Sequence, residues 1–259
     1  MVLFECKTIQ GSVFKSVVEV LKEIINDTNI VVDSSGMRIL TMDSAHSCLV
    51  TMKLDSDMFE VFECKEGPIH IGVNMLSLFK LLKSVSSNDT VGMKIDEDSP
   101  TELQIYVENI DKRSHTKYML KLMDIDIESI NIPDVKTEII VTIPSVDLHR
   151  ITRDISNLSD TVQISAKDNI LQLSCEGDFA SQVTRLGSAE HGLTFRTSGE
   201  SEEIVAKYNV KYINTFCKAS SVSPIMEILL KKNYPLIMKF PVSLGVIQFA
   251  LAPKVEDTD

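Results

Sequence analysis

Four stretches with helical periodicity interrupt a chain whose other segments are mostly typical of β-strands. The helical stretches span residues 12–25, 75–86, 145–158 and 210–221. The distance between the starts of the first and second stretches equals that between the third and fourth to within two residues. The first two stretches thus recur about half of the 259-residue chain later. This repeat predicts two similar α+β domains of antiparallel sheet with two helices each. We expect a first domain over 1–120, a connector over 121–137 and a second domain over 138–259.

Turn signals separate the strand-like segments. The run "NIVVDSSGMRILTM" places two apolar stretches around Ser34-Ser35-Gly36, which predicts a β-hairpin. No apolar run reaches the ~18 residues that a membrane helix needs, and the start "MVLFECKTIQ" is too short and too soon charged for a signal peptide. Five scattered cysteines without a C-x-x-C pair indicate reduced core thiols in an intracellular protein.

Positive charge is concentrated on the four helical stretches. They hold eight basic and four acidic residues, which leaves 18 basic and 33 acidic residues elsewhere in a chain of net charge −11. At about 100° per residue, the basic residues of each stretch lie opposite apolar ones, such as Val13, Val17, Val20 and Ile24 on the first. One amphipathic helix with a basic solvated face is common, but the same bias on four helices of so acidic a chain indicates that positive charge is sorted onto the helices.

Motifs for catalysis are absent from the sequence. There is no G-x-S-x-G elbow, no G-x-x-x-x-G-K-[ST] loop and no G-x-G-x-x-G loop. The five histidines are far apart and lack metal-ligand spacing with one another or with cysteine. Asp124 and Asp126 alternate with isoleucines beside a turn, a pattern typical of solvated carboxylates. We therefore expect no enzyme activity, no catalytic residues, no metal and no cofactor.

Five segments in one order resemble the proliferating cell nuclear antigen family of DNA sliding clamps. They are "QGSVFKSVVEVLKEIIN", "SSGMRILTMDSAHSCLV", "GVNMLSLFKLLK", "KLMDIDIESINIPD" and "LAPKVED". The resemblance runs from Phe4 to the C-terminus. It implies the DNA clamp fold, with three subunits closing head-to-tail into a six-domain ring whose twelve helices surround duplex DNA. The implied function is a polymerase processivity factor and a docking platform for replication and repair proteins.

The resemblance also assigns residues to surfaces. Positions that match DNA-facing residues of the family are Lys15, Lys22, Lys80, Lys83, Arg150, Arg153, Lys211 and Lys218. Tyr118 and Leu120 match an edge strand that pairs with a neighbouring subunit near 178–186, where Val183 lies. Residues that match the wall of a pocket for client peptides are Met42, His46, Ile130, Ile132, Pro133, Pro235 and Ala252.

The partners implied are double-stranded DNA without sequence preference, further copies of the chain, DNA polymerase, a clamp loader and other clients, and no membrane. Such clients carry Gln-x-x-aliphatic-x-x-aromatic-aromatic. One departure is Phe249-Ala250 before "LAP", where relatives usually have aromatics, and this predicts a wider pocket. Lys167 matches a lysine that relatives use for ubiquitin-like modification.

Three alternatives stay open at the level of sequence. The first alternative is one subunit of a heterotrimeric replication or damage-signalling clamp. The other two come from different classes of protein: a small hydrolase and an acidic scaffold. The last two leave the four basic helix faces at half-chain period unexplained. The expected location is a nucleus, or the replication compartment of an archaeon or a large DNA virus.

Overall fold

The structure, a computed structural model, describes residues 1–65, 67–127, 130, 137–190, 192–197 and 202–254. The chain forms two compact units. The first unit comprises Met1–Asp43, Val50–Ile130 and Val242–Ile247, and the second comprises Ser44–Leu49, Asn131–Pro241 and Gln248–Asp259. Each unit contains segments from distant parts of the sequence, so neither is a simple half of the chain.

The order of elements is the same in both halves of the sequence: a strand, a helix, five strands, a helix and three strands. The first half contains β1 Val2–Thr8, α1 Gly11–Leu21, β2 Asp27–Asp33, β3 Gly36–Met42, β4 Cys48–Asp55, β5 Val61–Cys64, β6 Ile69–Asn74, α2 Met75–Leu82, β7 Thr90–Asp96, β8 Glu102–Asn109 and β9 Ser114–Lys121. The second contains β10 Ile139–Pro144, α3 Ser145–Ser156, β11 Thr161–Lys167, β12 Ile170–Glu176, β13 Ser181–Gly187, β14 Thr194–Thr197, β15 Ile204–Asn209, α4 Val210–Phe216, β16 Ile225–Leu230, β17 Leu236–Val242 and β18 Gly245–Leu251. The predicted repeat and the predicted α+β class are confirmed.

Each unit contains one sheet that is formed only by its own strands. In the first unit the strand order is β5-β1-β7-β8-β9, and in the second it is β13-β12-β11-β15. Antiparallel pairing joins β9 to β8 and β13 to β12. Both β9 and β13 are therefore edge strands of their sheets.

Further strands lie side by side within each unit. These are β4, β3, β2 and β6 in the first unit and β14, β10, β16 and β17 in the second. The hairpin predicted around Gly36 joins β2 to β3. Gly36 has φ +140°, and a β-carbon there would lie 2.0 Å from the Leu54 carbonyl oxygen, so only glycine fits this turn.

Burial explains why the apolar residues of the helices recur at helical spacing. In α1 the buried side chains include Phe14, Val17, Val18 and Leu21, and the helix packs against α2. The expected buried face included Val13 and Ile24, but Val13 is half-buried and Ile24 follows the end of the helix. Val17 and Val20 are buried as expected, and Phe14, Val18 and Leu21, which the expected face did not include, are buried as well.

The four helices match the predicted stretches, with shorter ends. The α2 helix starts at an Asn74 side chain that accepts a hydrogen bond from the Ser77 amide at 2.9 Å, and Asn209 caps α4 in the same way through the Lys211 amide at 3.0 Å. A 3₁₀ turn, Cys217–Ser221, continues α4. None of the helices in the described ranges is long and apolar enough to cross a membrane.

The second unit has an aromatic core beneath α4. Phe216 stacks on Phe249 with ring centroids 4.5 Å apart, and Phe240 meets Phe249 edge-on at 5.9 Å. Burial raises the pKa of the nearby Cys217 thiol to about 12. Four of the five cysteines are buried, as predicted for core thiols, whereas Cys64 is half-buried.

Candidate functional site

The predicted DNA-facing residues of the first unit lie on or directly after two helices that pack against each other. On α2, the periodicity that buries Leu78 and Leu82 leaves Lys80 exposed, and Lys83, the residue that ends the helix, is exposed as well. These two ammonium groups are directed to solvent. They can meet a polyanion at little desolvation cost.

Two further predicted DNA-facing residues of this unit are held by their own chain. The Lys15 ammonium donates to the Val85 carbonyl oxygen at 2.7 Å. The Lys22 ammonium pairs with the Glu23 carboxylate and lies 4.8 Å above the Phe79 ring centre, and its side chain is only 14% exposed. A freely solvated Lys22 was expected, and the structure differs because Phe79 and Glu23 partly cover it.

In the second unit, α3 packs against α4 and the 3₁₀ turn. The Thr152 hydroxyl oxygen lies 3.0 Å from the Leu148 carbonyl oxygen on its own helix and 2.9 Å from the Asn214 side-chain oxygen of α4, and its one proton can be donated to either. This buried polar link fixes the spacing of the two helices. The exposed basic residues Arg150, Arg153, Lys211 and Lys218 all lie on these elements.

Local carboxylates neutralise some of these charges. Arg150 pairs with Asp147 one turn earlier at 3.6 Å, and Lys211 pairs with Asp160 at 2.9 Å. Exposed ion pairs of this kind are weak and exchange readily for another anion. The ion-paired Arg150 and Lys211 side chains can therefore exchange these carboxylates for phosphate.

A histidine that sequence reasoning did not select lies among these residues. Burial, followed by the positive charges of Arg153 and Lys218, lowers the pKa of His149. Because His149 precedes Arg153 by four residues, both side chains lie on one face of α3. Burial is the main cause of the shift, and the two nearby cations add to it.

The predicted subunit-contact residues lie on the two sheet edges. Tyr118 and Leu120 are half-buried on β9, and Val183 is 59% exposed on β13. Two large apolar side chains missed by sequence reasoning lie beside them: Met119 on β9, 46% exposed, and Phe179 before β13, 80% exposed. Both residues could have been found from the sequence, because each is a large apolar residue on or next to a predicted edge strand.

The predicted client-peptide residues are distributed over both units. Met42 and Ile130 belong to the first unit, and both are half-buried. Ile132 and Pro133 lie outside the described residues. In the second unit, Pro235 is half-buried and the exposed Ala252 donates its amide to Ser47 at 3.0 Å.

His46 has an unusual backbone conformation. Its φ is +52°, in the left-handed region that non-glycine residues adopt uncommonly. The residue is exposed in the turn between β3 and β4. The turn thus presents the imidazole to solvent.

The connector of the first unit runs beside β6. The Met123 amide donates to the Gly72 carbonyl at 2.8 Å, and the Asn29 side chain donates to the Ile125 carbonyl at 2.9 Å. These two bonds fix the backbone of the connector up to Ile125. Ile127, beyond them, is 67% exposed.

The second unit contains a groove of about 410 Å³ that the sequence did not predict. Two of its lining residues, Tyr234 and Pro253, are the sequence neighbours of Pro235 and Ala252. Its lining residues are Gln163, Ile204, Val205, Ala206, Lys207, Lys231, Asn233, Tyr234, Pro253 and Lys254. They come from separate segments, so no local motif reveals them. We call this the basic groove. Across the described ranges, no group of three or more His, Cys, Asp or Glu side chains is placed to hold a metal.

Known proteins match the whole chain. Residues 3–130 match "Proliferating cell nuclear antigen, N-terminal domain", and residues 131–255 match its C-terminal domain. A "Probable DNA polymerase sliding clamp 1" of Paramecium bursaria Chlorella virus 1 is 37% identical over 97% of each chain. "Proliferating cell nuclear antigen" of Chaetomium thermophilum is 32% identical over 99% of this chain and 100% of that protein.

A solved structure agrees with these matches. The crystal structure of the proliferating cellular nuclear antigen of Entamoeba histolytica superposes with a TM-score of 0.90 at 28% identity, covering 98% of this chain and all of the other. The resemblance in sequence, the two-fold repeat of elements and the likeness in structure agree along the whole chain. The chain belongs to the proliferating cell nuclear antigen family.

Proposed function

We propose that this chain is a DNA sliding clamp: a homotrimeric ring that encircles duplex DNA, raises polymerase processivity and docks replication and repair proteins. In this proposal the protein is a scaffold with no chemistry of its own. Residues 1–120 and 138–259 form its two clamp domains, and 121–137 connect them. The names of the viral and fungal relatives support this function.

The observation that carries the proposal is the placement of positive charge. In a chain of net charge −11, eight basic residues lie on or just after four helices that pack in pairs, α1 with α2 and α3 with α4. Contacts from lysine and arginine to phosphate carry no sequence information. A ring that uses only such contacts slides along DNA, and its closure rather than its affinity retains it there.

Ring closure in this proposal uses the sheet edges. An open edge strand exposes unpaired backbone groups, and head-to-tail pairing between copies covers both edges at once. We assign β9, with Tyr118 and Leu120, to one side of the contact and β13, with Val183, to the other. The exposed Met119 and Phe179 supply apolar area to the same contact.

Clients are proposed to dock through Gln-x-x-aliphatic-x-x-aromatic-aromatic segments, and a loader to open the ring onto DNA. The docking residues are Met42, His46, Ile130, Ile132, Pro133, Pro235 and Ala252. Met42 suits this role because its flexible side chain adapts to different partners. The expected location is a nucleus or a viral replication compartment, in keeping with the fungal and viral sources of the relatives.

A processivity assay with a polymerase and a loader tests the function. The variant Lys80→Glu/Lys83→Glu reverses two exposed charges on α2, and we expect shorter products, most clearly as salt rises, because fewer phosphate contacts remain. The control variant Lys65→Glu/Lys167→Glu reverses two exposed lysines outside the helices and should match the unmodified protein. Equal processivity of all three proteins at every salt concentration would exclude the helices as the DNA path.

A further inference from the structure

Lys22 is covered by its own chain, although the sequence predicts that it faces DNA. Its side chain is only 14% exposed, whereas Lys80 and Lys83 are exposed. The Lys22 ammonium lies 4.8 Å from the Phe79 ring centre and pairs with the Glu23 carboxylate. An aromatic ring face and a carboxylate each stabilise a neighbouring cation. The folded chain therefore supplies Lys22 with two partners before any phosphate approaches it.

The backbone fixes the positions of these residues. Lys22 ends α1, and its amide donates to the Val18 carbonyl oxygen at 3.0 Å. The Glu23 amide donates to the Val20 carbonyl oxygen at 3.2 Å, so the chain keeps a helical turn at this point. Phe79 belongs to α2, which packs against α1. The contact between Lys22 and Phe79 thus joins the end of one helix to the middle of the other.

Phe79 borders the basic face of α2. Because it precedes Lys83 by four residues, the two side chains are neighbours on one face of the helix. Phe79 is half-buried, between the buried Leu78 and the exposed Lys80. The ring therefore keeps the Lys22 ammonium at the margin of the surface from which Lys80 and Lys83 reach solvent.

We propose that Phe79 holds Lys22 back from DNA, so that the clamp makes fewer phosphate contacts than its basic residues allow. This inference rests on the proposed function, which places α1 and α2 along the DNA. Phe79 acts through Lys22 and is a positioning residue, with Glu23 as the counter-ion of the held lysine. Each additional phosphate contact raises the affinity for DNA and steepens its dependence on salt. Holding one cation of each subunit away from phosphate keeps the contact weak enough for sliding.

The opposite role, in which the ring presents Lys22 to phosphate, fits the structure less well. A lysine that is presented to a polyanion has an exposed ammonium group, as Lys80 and Lys83 do. Lys22 is instead mostly covered, and its ammonium is already paired with a carboxylate. The two roles predict opposite changes in DNA affinity when the ring is removed.

Titration of a short fluorescent duplex with the clamp, followed by anisotropy over a salt series, tests the inference. The slope of log affinity against log salt concentration counts the phosphate contacts. We expect Phe79→Ala to bind the duplex more tightly at low salt. Its slope should be steeper by about 0.9 for each released lysine, which is a further ~3.5-fold loss of affinity between about 50 and 200 mM salt. An unchanged or shallower slope would overturn the inference.

Matched variants separate the ring from its apolar volume. Phe79→Tyr keeps an aromatic ring and should match the unmodified protein, whereas Phe79→Leu keeps apolar volume alone and should behave like Phe79→Ala. If Phe79→Leu instead matches the unmodified protein, the role of Phe79 is packing and the inference fails. Leu76→Ala removes another apolar side chain of α2, 49% exposed, and should leave the slope unchanged. Phe79→Ala/Lys22→Gln should lose the added slope, and its persistence would assign the effect to another cation and overturn the inference.

Chemical labelling tests the same contact without DNA. An amine-reactive ester modifies accessible ammonium groups, and mass spectrometry gives the rate for each lysine. In the unmodified protein Lys22 should react several-fold more slowly than Lys80, and in Phe79→Ala the two should react at similar rates. Equal rates in the unmodified protein would show that Lys22 is not held, which overturns the inference.

The outcomes separate this inference from the proposed function. If the clamp binds the duplex and Lys80→Glu/Lys83→Glu weakens binding while Phe79→Ala changes nothing, the inference fails and the helices remain the DNA path. If Phe79→Ala gains affinity through Lys22 but the clamp does not lengthen polymerase products, the processivity function fails and the inference stands. If none of the proteins binds the duplex, both fail.

Discussion

The backbone of Met123 lies directly against Gly72. A β-carbon at residue 72 would stand 2.0 Å from the Met123 carbonyl oxygen and 2.9 Å from its carbonyl carbon, closer than any side chain permits. The same two residues form an isolated antiparallel bridge through the Met123 amide. Glycine at this position of β6 is what allows the connector to lie against the strand.

Gly72→Ala should therefore displace the connector. We expect a loss of about 1–3 kcal/mol in the free energy of unfolding, typical of overpacking where backbone cannot shift freely. Urea denaturation measures it. Gly187→Ala is the matched control, since a β-carbon there meets nothing within 4 Å. Equal stability of both variants would show that the connector moves aside at no cost.

Lys22 and Lys80 should respond differently to charge reversal. Lys22→Glu places a second carboxylate beside Glu23 and removes the cation above Phe79, so it should lower the free energy of unfolding by about 1 kcal/mol. Lys80→Glu, at an exposed position, should leave stability within about 0.5 kcal/mol of the unmodified protein. Thermal and urea denaturation compare them. If Lys22→Glu is as stable as the unmodified protein, the contacts of Lys22 with Glu23 and Phe79 contribute nothing to the free energy of unfolding.

The pH dependence of stability should carry a contribution from His149. The fold lowers the pKa of this imidazole, so the unfolded chain takes up the proton at a higher pH than the folded chain. Stability is therefore lost as pH falls below the unfolded value of about 6.5. His149→Gln should lose less stability than the unmodified protein between pH 7.5 and pH 5.5, measured by urea denaturation. The exposed His70→Gln serves as control, and an unchanged pH dependence in His149→Gln would contradict the effect.

Sequence periodicity was enough to predict the four helices and the repeated order of elements, because both depend on local patterns of apolar residues. It was not enough for Lys22. A helical wheel places Lys22 on the solvent face of its own helix, but the Phe79 ring that covers it comes from α2. Contacts between helices are absent from a single-helix pattern.

The basic groove shows the same limit more strongly. Lys207 lies on β15, Lys231 follows β16 and Lys254 follows β18, and only the folded chain brings the three together. The sheet edges were easier to predict, because each depends on one strand and its position in a known family pattern. What sequence could not supply was the set of side chains that distant segments place side by side.

Self-association should depend on the two sheet edges. Tyr118→Ala on β9 and Phe179→Ala before β13 each remove an aromatic side chain, and we expect each to cost the contact about 2 kcal/mol, or roughly 30-fold in affinity. Light scattering over a dilution series measures the mass. Ile225→Ala is the control, because Ile225 is an exposed apolar residue (53%) that lies on neither β9 nor β13. A monomer for the unmodified chain at micromolar concentration would exclude the homotrimer and favour a heterotrimeric clamp.

Client binding should depend on His46 and on the connector. Ile130→Ser removes an apolar side chain from the proposed docking surface, and His46→Asn removes the imidazole while keeping a residue that tolerates the positive φ of this turn. Because an aromatic anchor in such a surface contributes ~2 kcal/mol, we expect each change to weaken a Gln-x-x-Leu-x-x-Phe-Phe peptide several-fold in calorimetry. Ile127→Ser, at a 67% exposed isoleucine of the same connector, should bind normally. The oligomer should stay intact in all three variants, since none of these residues lies on β9 or β13. Undiminished affinity in both Ile130→Ser and His46→Asn would place the client site on another surface.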